Sequence, residues 1–97
     1  MNEDFFVRIC RILVNQGHAD ELDGVFSVRP DKKHGRIKET ITQETKFAED
    51  LALDSLESLE FISDVEVEFK VDLDYNDYPS NISGLISEIE SSLTARD

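Results

Sequence analysis

Leu51-Ala-Leu-Asp-Ser-Leu-Glu-Ser-Leu-Glu-Phe-Ile-Ser-Asp-Val-Glu-Val-Glu-Phe69 holds the strongest helical signal in the chain. Its first signal is a helix start. Asp54 is a strong N-cap residue and Glu57 stands three residues on, the spacing of a capping box in which each side chain serves the other's backbone N–H. A helix over 54–70 is predicted, with Ser55 on its first helical position, where backbone N–H groups have no intrahelical partner. At about 100° per residue two faces separate. Phe61, Ile62, Val65 and Phe69 fall in one stripe of core-facing width. Leu56, Leu59 and Val67 fall on the opposite side, mixed with Ser63 and flanked by Glu60 and Glu66. A helix buried on one side needs a single apolar stripe. The second one is a candidate docking surface, and Glu57 and Asp64 extend its acidic rim.

Working outward, two further stretches carry helical periodicity. Residues 3–16 place Phe5, Phe6, Ile9, Cys10, Ile12, Leu13 and Gln16 at three–four spacing, and Gly17 supplies a stop. Cys10 lies in that apolar stripe and reads as a small buried hydrophobe rather than a reactive thiol. Ser80 is expected to cap a last helix, 80–93, with Ile82, Leu85, Ile86, Ile89 and Leu93 on one face. Phe47 is an apolar plug for the core, Val71 and Leu73 alternate inward, and the turn-rich segment 73–79 leaves room for one short additional helix. Asp20-Glu-Leu-Asp-Gly24 reads as a short turn or partial helical turn. Val25-Phe-Ser-Val-Arg29 and Ile37-Lys-Glu-Thr-Ile41 are β-prone runs around Pro30-Asp-Lys-Lys-His-Gly35, a loose hairpin or an extended flexible loop. The expected fold is all-α. It is one domain over 1–97, a bundle of three main helices plus a short additional helix, with a long loop over 17–53 that has room for a small β-hairpin.

Charge sets the class of partner. The 97 residues hold 22 acids against 10 bases, a formal net charge of −12. The two signs balance at seven each over residues 1–43, whereas 44–97 hold 15 acids and three bases. From Glu49 to Glu68 there are eight acids and no Lys or Arg. Such a field repels nucleic acid and anionic membranes and attracts basic protein surfaces. Arg29, Lys32, Lys33, Arg36 and Lys38 gather in the long loop, either solvated against the acidic half or as a contact for an anionic partner. The single cysteine excludes an internal disulfide framework, and neither a positive leader region nor an apolar run of spanning length is visible. The expectation is a cytoplasmic monomer with no nucleic-acid partner and no stable membrane insertion. Catalysis finds no support. His18 and His34 are distant in sequence from Ser55, so the serine has no adjacent base. Asp72-x-Asp74-x-Asn76 begins like a calcium loop, but Asp77 stands where glycine is needed and Ser83 where glutamate is needed.

Phe47-Ala-Glu-Asp-Leu51, then Asp54-Ser55-Leu56, then Glu60-Phe61 and Val65-Glu-Val-Glu-Phe69, in register, resemble the acyl carrier protein family. The likeness runs over residues 41–93, and Asn81-Ile82 is similar to the start of that family's last helix. The resemblance implies that Ser55 carries 4′-phosphopantetheine, with Asp54 and Leu56 completing the recognised triplet and Asp54 helping to hold the metal during transfer. It implies a non-catalytic carrier that holds acyl groups as thioesters. Its partners would be a phosphopantetheinyl transferase and acyl-ACP synthetase, ketosynthase or acyltransferase enzymes, whose basic patches would meet Leu56, Glu57, Leu59, Glu60, Ser63, Asp64, Glu66 and Val67. It also implies space for the acyl chain among Phe47, Phe61, Ile62, Val65, Phe69, Ile82, Ile86 and Ile89, residues that a dry core would use equally. Three departures stand out. Residues 25–40 look inserted, the segment from Leu73 to Ser80 is short and lacks the usual proline after the second helix, and Val67 replaces a common acid. They point to a divergent, specialised bacterial member serving fatty acid, cell-envelope lipid or lipopolysaccharide synthesis. An aminoacyl or polyketide carrier and an unmodified acidic interaction module are the alternatives; a free-standing domain with Asp before the serine favours the acyl type.

Overall fold

A computed structural model describes residues 2–29, 39–74 and 77–95. In chain order these form α1 (Asn2–Asn15), β1 (Ala19–Leu22), β2 (Val25–Val28), α2 (Ser55–Phe69) and α3 (Ile82–Ala95). Among the described residues, no helix is long and apolar enough to cross a membrane.

α1 buries Ile9, Cys10, Ile12 and Leu13. Gly17 ends it at φ 84°, a left-handed conformation that glycine adopts without a Cβ clash. Gly17 N donates to Val14 O at 3.1 Å and His18 N to Leu13 O at 2.9 Å, so two of the last carbonyls are satisfied in a Schellman motif. The chain then turns directly into a hairpin. Asp23 at φ 52° and Gly24 at φ 80° form a two-residue turn with both central residues left-handed, whose twist matches that of paired strands. β1 and β2 are antiparallel, with Ala19 opposite Val28 and Leu22 opposite Val25. Ala19, Phe26 and Val28 bury one face of the hairpin, and Phe6 of α1 meets the Phe26 ring edge-on at 6.4 Å. Leu22 and Val25 stay exposed at its tip.

This hairpin corrects the all-α expectation: the protein is a mixed α/β domain. The segment read as a turn or partial helical turn at 20–24 is half strand, because Asp-Gly nucleates a hairpin that Val25–Val28 completes with the residues before it. Of the two β-prone runs, 25–29 and 37–41, read as a loose hairpin or an extended loop, the described residues meet at 39–41. Ser27 bridges Thr40, Val28 N donates to Glu39 O at 2.7 Å, and Ile41 N donates to Phe26 O at 2.8 Å. Residues 30–38, with four of the five clustered bases and His34, lie outside the described residues. The fifth base, Arg29, pairs with Asp20 at 2.9 Å. The short additional helix is not found in the described residues of 73–79, and Tyr75 and Asn76 lie outside them. α3 also starts later than expected. Asn81, not Ser80, caps it, its Oδ1 accepting from Gly84 N at 2.8 Å, and the helix continues past Leu93.

α1 is the element against which β1, α2 and α3 all rest. α2 is fastened to it near its C-terminus and at its middle. Near the C-terminus of α2, Arg8 Nε donates to Glu68 Oε2 at 2.7 Å and Nη2 to Glu68 O at 2.9 Å, while its guanidinium lies 4.2 Å from the Phe69 ring centroid. One helical segment earlier, Gln16 Nε2 donates to Asp64 Oδ2 at 2.6 Å and to Glu60 O at 3.2 Å. The core face of α2 is the expected one, with Phe61, Ile62, Val65 and Phe69 all buried. The approach to α2 is sewn to the start of α3. Lys46 bridges Asn81, Phe47 N donates to Ser80 O at 3.0 Å, and Ile82 N donates to Thr45 O at 3.2 Å.

Candidate functional site

The N-terminus of α2 is built before the helix begins. Lys46 O accepts from both Asp50 N and Leu51 N, and Phe47 O accepts from Leu53 N at 3.1 Å, which folds residues 46–53 into a tight turn with Leu51 and Leu53 buried. The turn requires Ala52 at φ 56°, a left-handed conformation in a residue with a Cβ. It delivers Asp54 in extended backbone as N-cap.

Both halves of the capping box form. Asp54 Oδ1 accepts from Glu57 N at 2.8 Å and Glu57 Oε1 accepts from Asp54 N at 3.0 Å. A helix start carries four orphan N–H groups, and the box takes two of them. The two left are those of Ser55 and Leu56. Ser55 is exposed on the first turn, and Leu56 is 65% exposed beside it. An exposed hydroxyl therefore stands at the positive end of the α2 dipole, flanked by the helix's remaining donors. Glu57 has a second neighbour, His18 Nδ1 at 4.0 Å from its Oε2, reaching over from the turn after α1.

Ser55 also lines an open cleft of ≈ 400 Å³, together with Ala48, Leu53, Asp54, Ser58, Leu59 and Tyr78. Ala48 and Tyr78 also line a smaller cleft of ≈ 200 Å³, together with Lys46, Phe47, Glu49 and Ser80. The Phe47 ring lies 6.4 Å from that of Tyr78 and 5.1 Å from that of Phe61, so a short row of rings leads from Tyr78 into the core.

The candidate docking face is present along α2. Leu59 is 46% and Val67 73% exposed, with Glu60, Ser63 and Asp64 exposed between them. Its carboxylates are not equivalent, however. Asp64 accepts from Gln16, Glu57 belongs to the capping box, and Glu66 is half-buried with Oε2 accepting from Leu73 N at 2.7 Å. Leu59, Glu60, Ser63 and Asp64 line a second open groove of ≈ 610 Å³ with Gln16.

The residues expected to surround an acyl chain are all buried: Phe47, Phe61, Ile62, Val65, Phe69, Ile82, Ile86 and Ile89. Of these, only Phe47 borders one of the clefts described above. The residues that do line the cleft at Ser55 include Ala48, Ser58 and Tyr78, which helical periodicity and the motifs passed over. A lone aromatic in the turn-rich 74–79 segment was the available signal for Tyr78. The thiol of Cys10 is fully buried, and burial, aided by the Glu21 carboxylate, pushes it up from 9.0 to about 12. It is protonated and inaccessible at neutral pH.

No protein-family model matches the chain, and no solved structure matches it. What the site can do therefore rests on its own geometry.

Proposed function

We propose that this chain is a non-catalytic carrier bearing a 4′-phosphopantetheine arm on Ser55, by which it presents acyl groups to the enzymes of a specialised lipid pathway. The observation that carries this reading is the placement of Ser55 within Asp54-Ser55-Leu56: exposed, on the first turn of a helix closed by a complete capping box, and lining an open cleft. It depends on the α2 start and not on a helical bundle, which the hairpin rules out. The residues present fit the group. A phosphodiester on Ser55 would face the two N–H groups that the box leaves over and the positive end of the helix dipole, a stabilisation of about 0.3–1 kcal/mol at an exposed position. When attached, the arm supplies the terminal thiol on which an acyl group is held as a thioester.

The chain's own residues hold and display. Asp54 and Glu57 lock the helix start, so that Ser55 is offered in one backbone conformation to a transferase. Leu56, Leu59 and Val67 give apolar contact, and Glu60 with the surrounding acids draws basic partner surfaces at a rate that salt reduces. The cleft beside Ser55 gives the arm a wall to lie against. The fatty acid, cell-envelope lipid and lipopolysaccharide pathways all use such cargo, and aminoacyl or polyketide units are the alternative loads. Intact mass before and after incubation with coenzyme A and a broad-specificity phosphopantetheinyl transferase tests the reading. The expected result is a gain of one phosphopantetheine in the native chain and none in Ser55→Ala. A folded native chain that gains nothing from that transferase or from others tried overturns it. It would leave the exposed acidic strip of α2, an unmodified interaction surface, as the function.

A further inference from the structure

We infer that Ser58, one turn along α2 from the attachment residue, is the positioning residue for the near end of the arm. Its hydroxyl donates a hydrogen bond to the phosphodiester on Ser55, which directs the arm into the cleft that both serines line. The inference rests on the carrier reading and goes beyond it by naming the side chain that fixes how the arm leaves the protein.

Helix geometry brings the two side chains together. Residues three apart on an α-helix are surface neighbours with Cβ atoms about 5–6 Å apart. Helical side chains also lean toward the N-terminus, so that of Ser58 leans back toward Ser55. Both residues line the same cleft of ≈ 400 Å³. The hydroxyl is also uncommitted. A serine inside a helix commonly turns its hydroxyl out to solvent or back onto the carbonyl four residues earlier. Here that carbonyl, Asp54 O, accepts from Ser58 N at 2.8 Å, and the side chain is half-buried. Among the described residues, nothing holds the Ser58 hydroxyl in a hydrogen bond. Serine forms helix less readily than alanine, so α2 itself has no use for the hydroxyl. A phosphodiester does. It spreads one negative charge over two unbridged oxygens, each able to accept more than one hydrogen bond, and the first turn of α2 offers it only two spare N–H groups. Asp54 lines the cleft as well, but its Oδ1 accepts from Glu57 N and its carboxylate repels a phosphodiester. Besides Ser55, only Ser58 and Tyr78 bring a hydroxyl to this cleft, and of the two Ser58 alone shares a helix face with Ser55.

The test attaches the arm, from coenzyme A with a phosphopantetheinyl transferase, to the full native chain and to Ser58→Ala, Ser58→Thr and Tyr78→Phe. The phosphorus NMR signal of each product is then recorded. Hydrogen bonding is expected to displace the native signal from that of the same diester in urea-unfolded protein. Ser58→Ala should lose at least half of that displacement. Ser58→Thr, which keeps the hydroxyl, should retain most of it, and Tyr78→Phe should leave it unchanged. Amide spectra of the four chains before modification check that each is folded. A merely structural role for Ser58 would alter those spectra, whereas the inferred role alters the phosphorus signal once the arm is attached. No native displacement, or one that Ser58→Ala leaves intact, overturns the inference while the carrier reading stands. So does a displacement lost in Tyr78→Phe instead. A chain that accepts no arm at Ser55 overturns both.

Discussion

Phe69 and Leu59 share α2 and differ in what surrounds them. Phe69 is 5% exposed, with the Phe5 ring edge-on at 5.1 Å and the Arg8 guanidinium at 4.2 Å. Leu59 is 46% exposed on the opposite side. Phe69→Ala should therefore cost about 3–5 kcal/mol, whereas Leu59→Ala should stay within about 0.5 kcal/mol of the native protein. Urea denaturation of the two variants checks this, and a larger loss at Leu59 would mean that the faces are reversed. That contrast was legible in the sequence, since helical spacing alone separates the two sets once the start at Asp54 is known. The backbone of Ala52 was not. Its φ of 56° costs a residue with a Cβ about 1–2 kcal/mol, and no property of alanine announces it. The conformation is imposed by the hydrogen bonds of Asp50, Leu51 and Leu53 on either side and by the burial of both leucines, which are tertiary facts. Lys70, at φ 57° after the last turn of α2, is a second case.

At the level of elements, α3 offers the sharper test. Gly84 lies in its first turn, where alanine would ordinarily favour the helix by about 1 kcal/mol. Here an added Cβ would stand 2.7 Å from the Pro79 Cβ and 3.2 Å from Asn81 Oδ1, the oxygen that caps the helix. Gly84→Ala should therefore destabilise the protein by about 1–3 kcal/mol through crowding, and should shift the amide signals of Tyr78 and Asn81. A raised urea midpoint would show that the Pro79 contact is not made. The same scale shows where sequence reasoning fell short. The three helices were visible because each repeats its apolar residues over three or more turns. β1 was not, since Ala19–Leu22 carries one buried residue in four and acquires strand character only from its partner. The Asp23-Gly24 turn was the readable clue, but it competed with an equally β-prone run downstream. Ser80 and Asn81 are both competent caps, and the bridge from Asn81 to Lys46 decides between them.

Across the whole molecule, charge opposes compactness. A net charge of −12 on 97 residues is self-repulsive, and its excess lies in residues 44–97. The pairs Arg8–Glu68, Arg29–Asp20 and Lys46–Glu49 work against it, but all are partly exposed, and such pairs contribute about 0–1 kcal/mol each. Screening should therefore relieve more repulsion than it removes attraction. As sodium chloride rises from about 0.01 to about 0.15 M, the screening length falls from about 30 to about 8 Å, and the thermal midpoint should rise. A relief of about 1 kcal/mol corresponds to about 4–8 °C in a domain of this size. A falling midpoint would mean that the ion pairs outweigh the repulsion. The charge asymmetry and the docking strip were legible from composition and spacing. The cleft at Ser55 was not, because it is assembled from the 46–53 turn, α2 and Tyr78, three parts that no single period connects.

One interior detail has a use at the bench. Cys10 is the chain's only cysteine, and it is sealed on the inner face of α1 with its thiol pushed up to about 12. A maleimide or disulfide reagent applied to the folded protein at neutral pH meets no native competitor. Any thiol that reacts is one that has been added, so the stoichiometry of modification can be read from a colour change, with no need for a cysteine-free variant.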